Sequence, residues 1–443
     1  MSGRWLRSGA MVVLAAISLL MLSDFVLRGV ALAFEPARTD FSEVYVGAWL
    51  WRHGGNFYDS ALATATQQRL IGDSTVCATL YPPTTFALFA PFSYLSWGWA
   101  NLIWLLIGLA GIGATIFFLW RLAKFKQLDL KTAIFVTFIL SFSPLHQAFH
   151  LGNMALLAVP MVLGGIWLAE TAREWPASVV LGLATCLKPQ IGIWVLLYYL
   201  LRWRWRLIAG AGVTGLCAAA LLLLHPISLS EAIAHYKANQ WYWFAPGHPA
   251  GFTPGGFPYH VNMFQVIAYQ LVHSVAGANW IARILFVAGI AAWLGILWRA
   301  KFRLPATLAI SSLMALSFVS MYHSVSDVTA LTLALCWAIP GESQAGTSQA
   351  WTPQSWTKIR VAVCAIFLLM MLPGHSLLMR FSPHLPAAMT TSWWWSLFVA
   401  RYFVWLLFAL NVALLAGLWG AGKSEVGSQK TEVGARYPAL SSL

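Results

Sequence analysis

The stretch "ASVVLGLATCLKPQIGIWVLLYYLL", residues 177 to 201, is an apolar run with a Lys188-Pro189 pair at its middle. A run of this length is enough to cross a bilayer as one helix. Proline, however, removes a backbone donor and breaks a helix, and a lysine at membrane depth is costly unless it finds a partner or water. Basic residues also stand at both ends, Arg173 on one side and Arg202, Arg204 and Arg206 on the other. Two readings follow. In one, two half-length helices form a hairpin with Lys188 near its outward tip. In the other, a single kinked span carries a snorkelling lysine.

Working outward, the same pattern recurs along the chain. Apolar residues make up 59% of the sequence, charged residues 9%, and apolar runs recur from residue 9 to residue 419. This composition predicts an all-α polytopic membrane protein and excludes an ordinary soluble domain. The formal net charge of +13 does not indicate a nucleic-acid partner, because the basic residues fall in short clusters between apolar runs. Cytoplasmic loops have that character. Cys77, Cys186, Cys217, Cys336 and Cys364 show no CxxC spacing, and four of them lie inside apolar runs. They read as packing residues, with neither a disulfide framework nor a zinc site.

Placing each basic cluster on the cytoplasmic side gives full spans over residues 9–33, 98–120, 132–150, 154–171, 207–224, 279–298, 304–322, 324–340, 359–379 and 393–419, with both termini inside. The first run also resembles a signal peptide ending in Ala31-Leu32-Ala33. An uncleaved helix is the preferred reading, since it is long enough to span and sets Asp24 and Arg28 four apart. Residues 1–420 then form one transmembrane domain, and the polar, Ser- and Gly-bearing segment 421–443 is expected to be a disordered cytoplasmic tail. Segments 34–97 and 225–278 fall outside. Their short apolar pieces, 41–51, 83–95 and 261–275, are expected to be amphipathic helices lying along the membrane surface.

This path gathers polar residues on one face: Asp40, Glu43, His53, Asp59, Tyr81, His150, Asn153, Lys188, His225, His235, His260, Asn262, His323 and Asp327. Asp40 and Glu43, three apart on a helix, share a face, with Val44 and Tyr45 beside them. A carboxylate at a partly dehydrated surface gains proton affinity and can take a proton from a hydroxyl nucleophile. The same "TDFSE" spacing also suits a helix N-cap with a capping box. Tyr81-Pro82-Pro83 opens an apolar stretch that reads either as helix punctuation or as a wall for a hydrocarbon tail. Lys188 could meet a phosphate at the membrane surface. "FHLGN", ending at Asn153, and "MYHSVSD", with His323 and Asp327 four apart, read as turns, the second with a pair able to contact substrate. Residues 239–262 are loop material by their Gly and Pro content, rich in aromatics before His260 and Asn262. No Asp-x-Asp occurs, and Asp40 with Glu43 falls far short of a divalent cation's oxygen shell.

The order of "DFSEVYVGAWLWRHGGNFYD", "YPP", "LGN", "LKPQ" and "HVN" over about residues 35 to 340 resembles glycosyltransferase family 87, of the GT-C superfamily. The pieces carrying most weight are Asp40-Phe41 with Tyr45, then Gly55 and Tyr58, Tyr81-Pro82-Pro83 and Lys188-Pro189. "YHSVSD" departs from the His-rich pattern of the family. The resemblance implies a GT-C-type bundle of about 10–12 transmembrane helices in the bacterial inner membrane. It also implies inverting transfer of a sugar, most simply mannose, from a polyprenyl-phosphate-linked donor to a glycolipid or glycan acceptor at the extracytoplasmic face. Asp40 would be the general base and Lys188 the contact to donor phosphate, without a divalent metal. The other substrate-binding candidates are Glu43, Tyr45, Tyr81, Asn153, His260, Asn262, His323 and Asp327. Two rival classes share the architecture. A transporter or flippase would move solute, although no internal repeat accompanies these runs. A silent scaffold would have no need of Asp40.

Overall fold

The computed structural model describes residues 2–33, 39–245, 247, 251, 263–340, 354–372 and 374–436, and every regular element among them is a helix. The long first helix, α1 (Ser2–Ala33), is followed by α2 (Thr39–Arg52), α3 (Ser60–Ile71) and α4 (Pro83–Phe89). Next come α5 (Trp97–Ala123), α6 (Leu130–Leu140), α7 (Ser143–Leu151) and α8 (Ala155–Glu170), then α9 (Glu174–Leu187), α10 (Pro189–Leu201), α11 (Trp205–Ala220) and α12 (Leu229–Phe244). The remainder is α13 (Phe264–Val272), α14 (Val275–Arg299), α15 (Ala306–Ser320), a 3-10 turn Val325–Thr332 running into α16 (Leu333–Ala338), α17 (Gln354–Met371), α18 (Gly374–Phe381), α19 (Ala387–Thr390) and α20 (Tyr402–Arg436).

Residues 177–201 form a hairpin. α9 ends at Leu187, α10 starts at Pro189, where a missing N–H costs nothing, and the two outer ends meet again. Arg204, after α10, pairs with Glu174 at the start of α9 and donates to the Ala169 carbonyl at 2.9 Å. Arg202 lies 3.5 Å from Glu170. The basic anchors therefore share one end of the bundle and Lys188 sits at the other.

Among the described residues, four helices are long and apolar enough to cross a membrane: 97–123, 205–224, 275–299 and 402–423. Segment 132–150 is broken instead. α6 and α7 meet at 43°, where Pro144 in the first turn of α7 has no N–H to continue the ladder. The expected full spans 154–171, 304–322 and 324–340 are shorter apolar helices. Most of α15 and all of Val325–Ala338 is buried, so protein and not lipid surrounds them and their length need not match the bilayer. The expected span 359–379 is likewise divided, α17 ending at Met371 and α18 beginning at Gly374. The last helix continues to Arg436, past residue 421 where a disordered tail is expected, since extending an existing helix adds one hydrogen bond per residue.

The pieces expected on the membrane surface are packed against the rest of the protein over much of their length, while Tyr94, Leu271 and Val272 stay exposed. In α2, Phe41, Ser42, Val44, Tyr45, Val46, Ala48 and Leu50 are all buried, as are Phe86 and Phe89 of α4 and Phe264 to Ala268 of α13. α2 lies under α4, and its Phe41 ring stacks on Trp104 of α5 at 4.9 Å and 4°. Apolar residues on every side of α2, not one stripe, account for this burial. α1 packs on α6, where Ser18 Oγ lies 2.9 Å from Thr137 Oγ1. Asp24 faces His146 of α7 at 3.6 Å.

α5 and α8 approach closely because Gly111 has no side chain. A Cβ there would lie 2.1 Å from the Leu156 carbonyl oxygen. Gly111→Ala must push backbone apart, and overpacking of this kind costs about 1–3 kcal/mol. Its thermal unfolding midpoint in detergent should fall measurably below that of wild type; an unchanged midpoint would show that the contact does not constrain the bundle.

Candidate active site

At the end of the bundle opposite the basic anchors, the end of α7, the starts of α2 and α8, the α9–α10 tip and the start of the 3-10 turn enclose a cavity of about 530 Å³. Its wall carries Asp40, Glu43, Tyr81, Asn153, Lys188 and Asp327 together with Gln147, Gln190, Tyr236, Trp243 and Tyr322.

Asp40 is positioned by a short chain of contacts. α7 ends at Gly152, whose φ of 66° is the left-handed turn that suits glycine. The Gly152 carbonyl accepts a 2.9 Å hydrogen bond from Trp104 Nε1, and Trp104 is the ring on which Phe41 stacks. The next residue, Asn153, is buried. Its Oδ1 accepts from the Ala155 amide at 2.8 Å, which orients the side-chain NH₂ to donate to Asp40 Oδ2 at 2.6 Å. Glu43, one turn along α2, is hydrogen-bonded by Thr79.

The two carboxylates meet different fields. Burial raises the proton affinity of Asp40, but the Asn153 hydrogen bond and the Lys188 charge both favour its ionised form. Burial and the neighbouring Asp40 charge push Glu43 up to about 8, with only Thr79 opposing. Near neutral pH Glu43 keeps its proton, while Asp40, also raised overall by burial and by the Asp327 charge, has two neighbours that favour its ionised form. Environments that separate a pair of carboxyl groups in this way assign them different tasks.

Across the cavity Lys188, 3% exposed, is ion-paired with Asp327, which is 1% exposed. Asp327 Oδ2 also accepts from the Ser324 amide at 3.1 Å and from Gln190 Nε2 at 3.4 Å. The Tyr81 ring lies 6.0 Å from the Lys188 ammonium, and its hydroxyl is hydrogen-bonded by the Met154 backbone. Burial holds that hydroxyl well above its usual range, so it stays neutral.

Several expectations change here. Tyr45 is not on the cavity wall: its hydroxyl donates to the Leu95 carbonyl at 2.8 Å and its ring packs against Trp97, because the α2 turn that aims Asp40 inward aims Tyr45 at the helix's far side. His323 does not reach the cavity either. It stands behind Asp327 at 3.6 Å, stacked on Phe318 at 4.0 Å, with Nε2 3.0 Å from Ser317 Oγ. His323 precedes the Ser324 cap of the 3-10 turn, in extended chain, so helical spacing does not set its direction. Asp327 lines the cavity, yet its oxygens are taken up by Lys188, Ser324 and Gln190. His260 and Asn262 lie outside the described residues. Asp59, also on the expected polar face, N-caps α3.

Tyr236 and Trp243 are wall residues that sequence reading missed. The segment from Asn239 read as loop, but Asn239–Phe244 are the last turns of α12, which Ser228 caps by accepting from the Glu231 amide. Seven residues apart, Tyr236 and Trp243 share a helical face, and that spacing was the available signal. Asn239 secures the helix by donating to the Tyr58 and Thr79 carbonyls, both at 3.1 Å. Among the described residues no group of three or more His, Cys, Asp and Glu side chains converges as a cation's ligand set.

The fold and site together define a membrane-embedded, all-helical protein with a carboxylate and a cation facing one buried cavity. The sequence profile of glycosyltransferase family 87 matches residues 79–323, more than half of the chain, and the protein belongs to that family. The chain is 26% identical, over 89% of its length and 90% of the relative's, to the polyprenol-phosphate-mannose-dependent alpha-(1-2)-phosphatidylinositol mannoside mannosyltransferase of Mycobacterium tuberculosis. It is also 26% identical to an alpha-(1->3)-arabinofuranosyltransferase of the same organism, over 55% of this chain and 54% of that one. A crystal structure of ArnT from Cupriavidus metallidurans bound to undecaprenyl phosphate aligns over 99% of this chain and 80% of that chain, with 16% identity and a TM-score of 0.38. That likeness is too loose to carry an argument about the site.

The buried pair generates a stability prediction. Lys188→Met leaves Asp327 uncompensated and should destabilise the protein by about 3–5 kcal/mol, whereas replacing both members with apolar residues of similar size is close to neutral. Unfolding in detergent should therefore show a low midpoint for Lys188→Met and recovery in Lys188→Met/Asp327→Leu. Equal midpoints for the single variant and wild type would contradict the pairing.

Proposed function

We propose that this protein transfers a sugar, with inversion, from a polyprenyl-phosphate-linked donor to an acceptor hydroxyl, and that the cavity between Asp40 and Lys188 is where the transfer occurs. The observation that carries the reading is the placement of Asp40, held by Asn153, and Lys188, held by Asp327, on the wall of one buried cavity. An ionised carboxylate accepts the acceptor's hydroxyl proton as that oxygen bonds the anomeric carbon. The bond between that carbon and the phosphate oxygen breaks, and the leaving polyprenyl phosphate keeps the electron pair. Lys188 offsets the charge that grows on the phosphate, an effect strengthened where water is excluded. The reaction is balanced without a divalent cation, and the reading assigns none.

Mannose is the donor sugar favoured by the relative that matches over most of both chains. A glycolipid or glycan is the acceptor class. The apolar part of the wall, with Leu151, Leu187, Tyr236 and Trp243, suits an acceptor ring or the first isoprene units of the donor. The basic clusters at the far end of the bundle support a cytoplasmic location for that end under the positive-inside rule. The cavity would then open to the extracytoplasmic side of a bacterial inner membrane.

The test is release of polyprenyl phosphate by purified protein from a panel of polyprenyl-phospho-sugars, mannose and arabinofuranose among them, with membrane glycolipid as acceptor. Asp40→Asn should lower release by about 10²- to 10⁴-fold while donor binding and the unfolding midpoint persist. Release that survives this substitution would remove Asp40 as the base, and solute flux without sugar transfer would replace the reading with a transporter.

A further inference from the structure

The end of the bundle opposite the active site holds a second cavity, of about 490 Å³, between the end of α5, the end of α8 and the start of α15. Its wall carries three cations, Arg121, Lys124 and Lys126, over an apolar floor that includes Leu122, Phe125 and Trp167. Positively charged loops are ordinary at this end of a membrane protein. Three features distinguish this cavity from a solvated cluster.

The first is the start of α15. Pro305 occupies its N-cap and offers no side-chain cap, and the Leu308 and Ala309 amides turn back to the Pro305 carbonyl at 3.1 and 3.0 Å. Among the described residues the amides of Ala306 and Thr307, both cavity residues, find no acceptor at the positive end of a fifteen-residue helix. The second is Thr307 itself. It is 8% exposed and lines the cavity, yet its hydroxyl has no hydrogen-bond partner, whereas the Ser311 and Ser312 hydroxyls on the following turn bond backbone carbonyls at 2.6 and 2.8 Å. The third is that the carboxylate on the wall, Glu170, has a cation of its own beside Oε1. It accepts from the Tyr199 hydroxyl at 3.1 Å and lies 3.5 Å from Arg202. Two backbone donors, the unpartnered hydroxyl of the largely buried Thr307 and three cations therefore line one cavity, beside Leu122, Phe125 and Trp167.

We propose that this cavity is a binding site for a phosphate group, separate from the active site and on the opposite face of the bundle. Helix N-termini with flanking cations take phosphate because amide donors and charge act together. The apolar floor admits the glycerol and first acyl carbons of an anionic lipid, and basic pockets at membrane interfaces take such headgroups. A free phosphate would use the same donors without the floor. The site stands whether or not the proposed sugar transfer is correct.

Native mass spectrometry of the full chain in detergent, titrated separately with dioctanoylphosphatidate, inorganic phosphate and phosphate-free dioctanoylglycerol, tests it. Phosphatidate should bind at least about tenfold more tightly than dioctanoylglycerol, and the triple variant Arg121→Gln/Lys124→Gln/Lys126→Gln should lose about tenfold or more of that affinity. Thr307→Val, nearly isosteric, should lose several-fold, as one hydrogen bond to an anion is worth. Tight phosphatidate with weak inorganic phosphate supports the site with a lipid as its source. Comparable affinities, both lost in the variants, support it with a soluble phosphate ligand. Equal binding of phosphatidate and dioctanoylglycerol, or unchanged phosphate binding in both variants, would overturn the proposal.

Discussion

A lysine and an aspartate that have both left water, Lys188 and Asp327, join two distant parts of the chain. A charge in the interior of a membrane bundle is tolerated only with a partner close at hand, and removing either member leaves the other at a cost of several kcal/mol. Where Lys188 goes, Asp327 must follow. The pair ties the tip of the α9–α10 hairpin to the turn after α15, and in doing so closes one side of the cavity. Proline after Lys188 makes this geometry available, since the chain reverses at the residue that carries the charge.

The opposite wall rests on weaker, more numerous contacts. Phe41 on Trp104, Trp104 on the Gly152 carbonyl, and Asn153 on Asp40 form one continuous path from the apolar packing of α2 to a carboxylate oxygen. Each step is an ordinary stacking contact or hydrogen bond. Together they hold Asp40 in one orientation and offset part of the penalty that burial places on its charge. Glu43, a turn away and without such an arrangement, is driven toward its neutral form. The difference between the two carboxyl groups in this cavity comes from neighbours, not from residue type.

Much of this was legible in the sequence, and what was not has physical reasons. Lys188-Pro189 inside an apolar run, flanked by arginines, marked a break and offered the hairpin as one of two readings, and the recurring apolar runs announced the all-helical membrane class. Asp40 and Asn153 were both visible as candidates, but their contact spans 113 residues and no local pattern encodes it. Tyr45 misled because helical spacing fixes a face only once the neighbours of the helix are known, and His323 because it lies in extended chain, where that spacing does not apply. Tyr236 and Trp243 were hidden by a Gly- and Pro-rich segment that begins only after α12 has ended. The short apolar pieces of the outer segments bury much of their surface against protein, which composition alone does not separate from burial by lipid.

The central claim is that the Asn153 hydrogen bond lowers the proton affinity that burial gives Asp40, so that Asp40 can act as a base. The most direct measurement is the pH dependence of polyprenyl phosphate release at saturating substrate, for wild type and Asn153→Ala. Wild type should lose activity on the acid side at a pH above the ordinary carboxylate range, and the substitution, which removes a hydrogen bond favouring the charged form, should move that limb to higher pH. An acid limb that is absent, or that stays in place when Asn153 is replaced, would contradict the account.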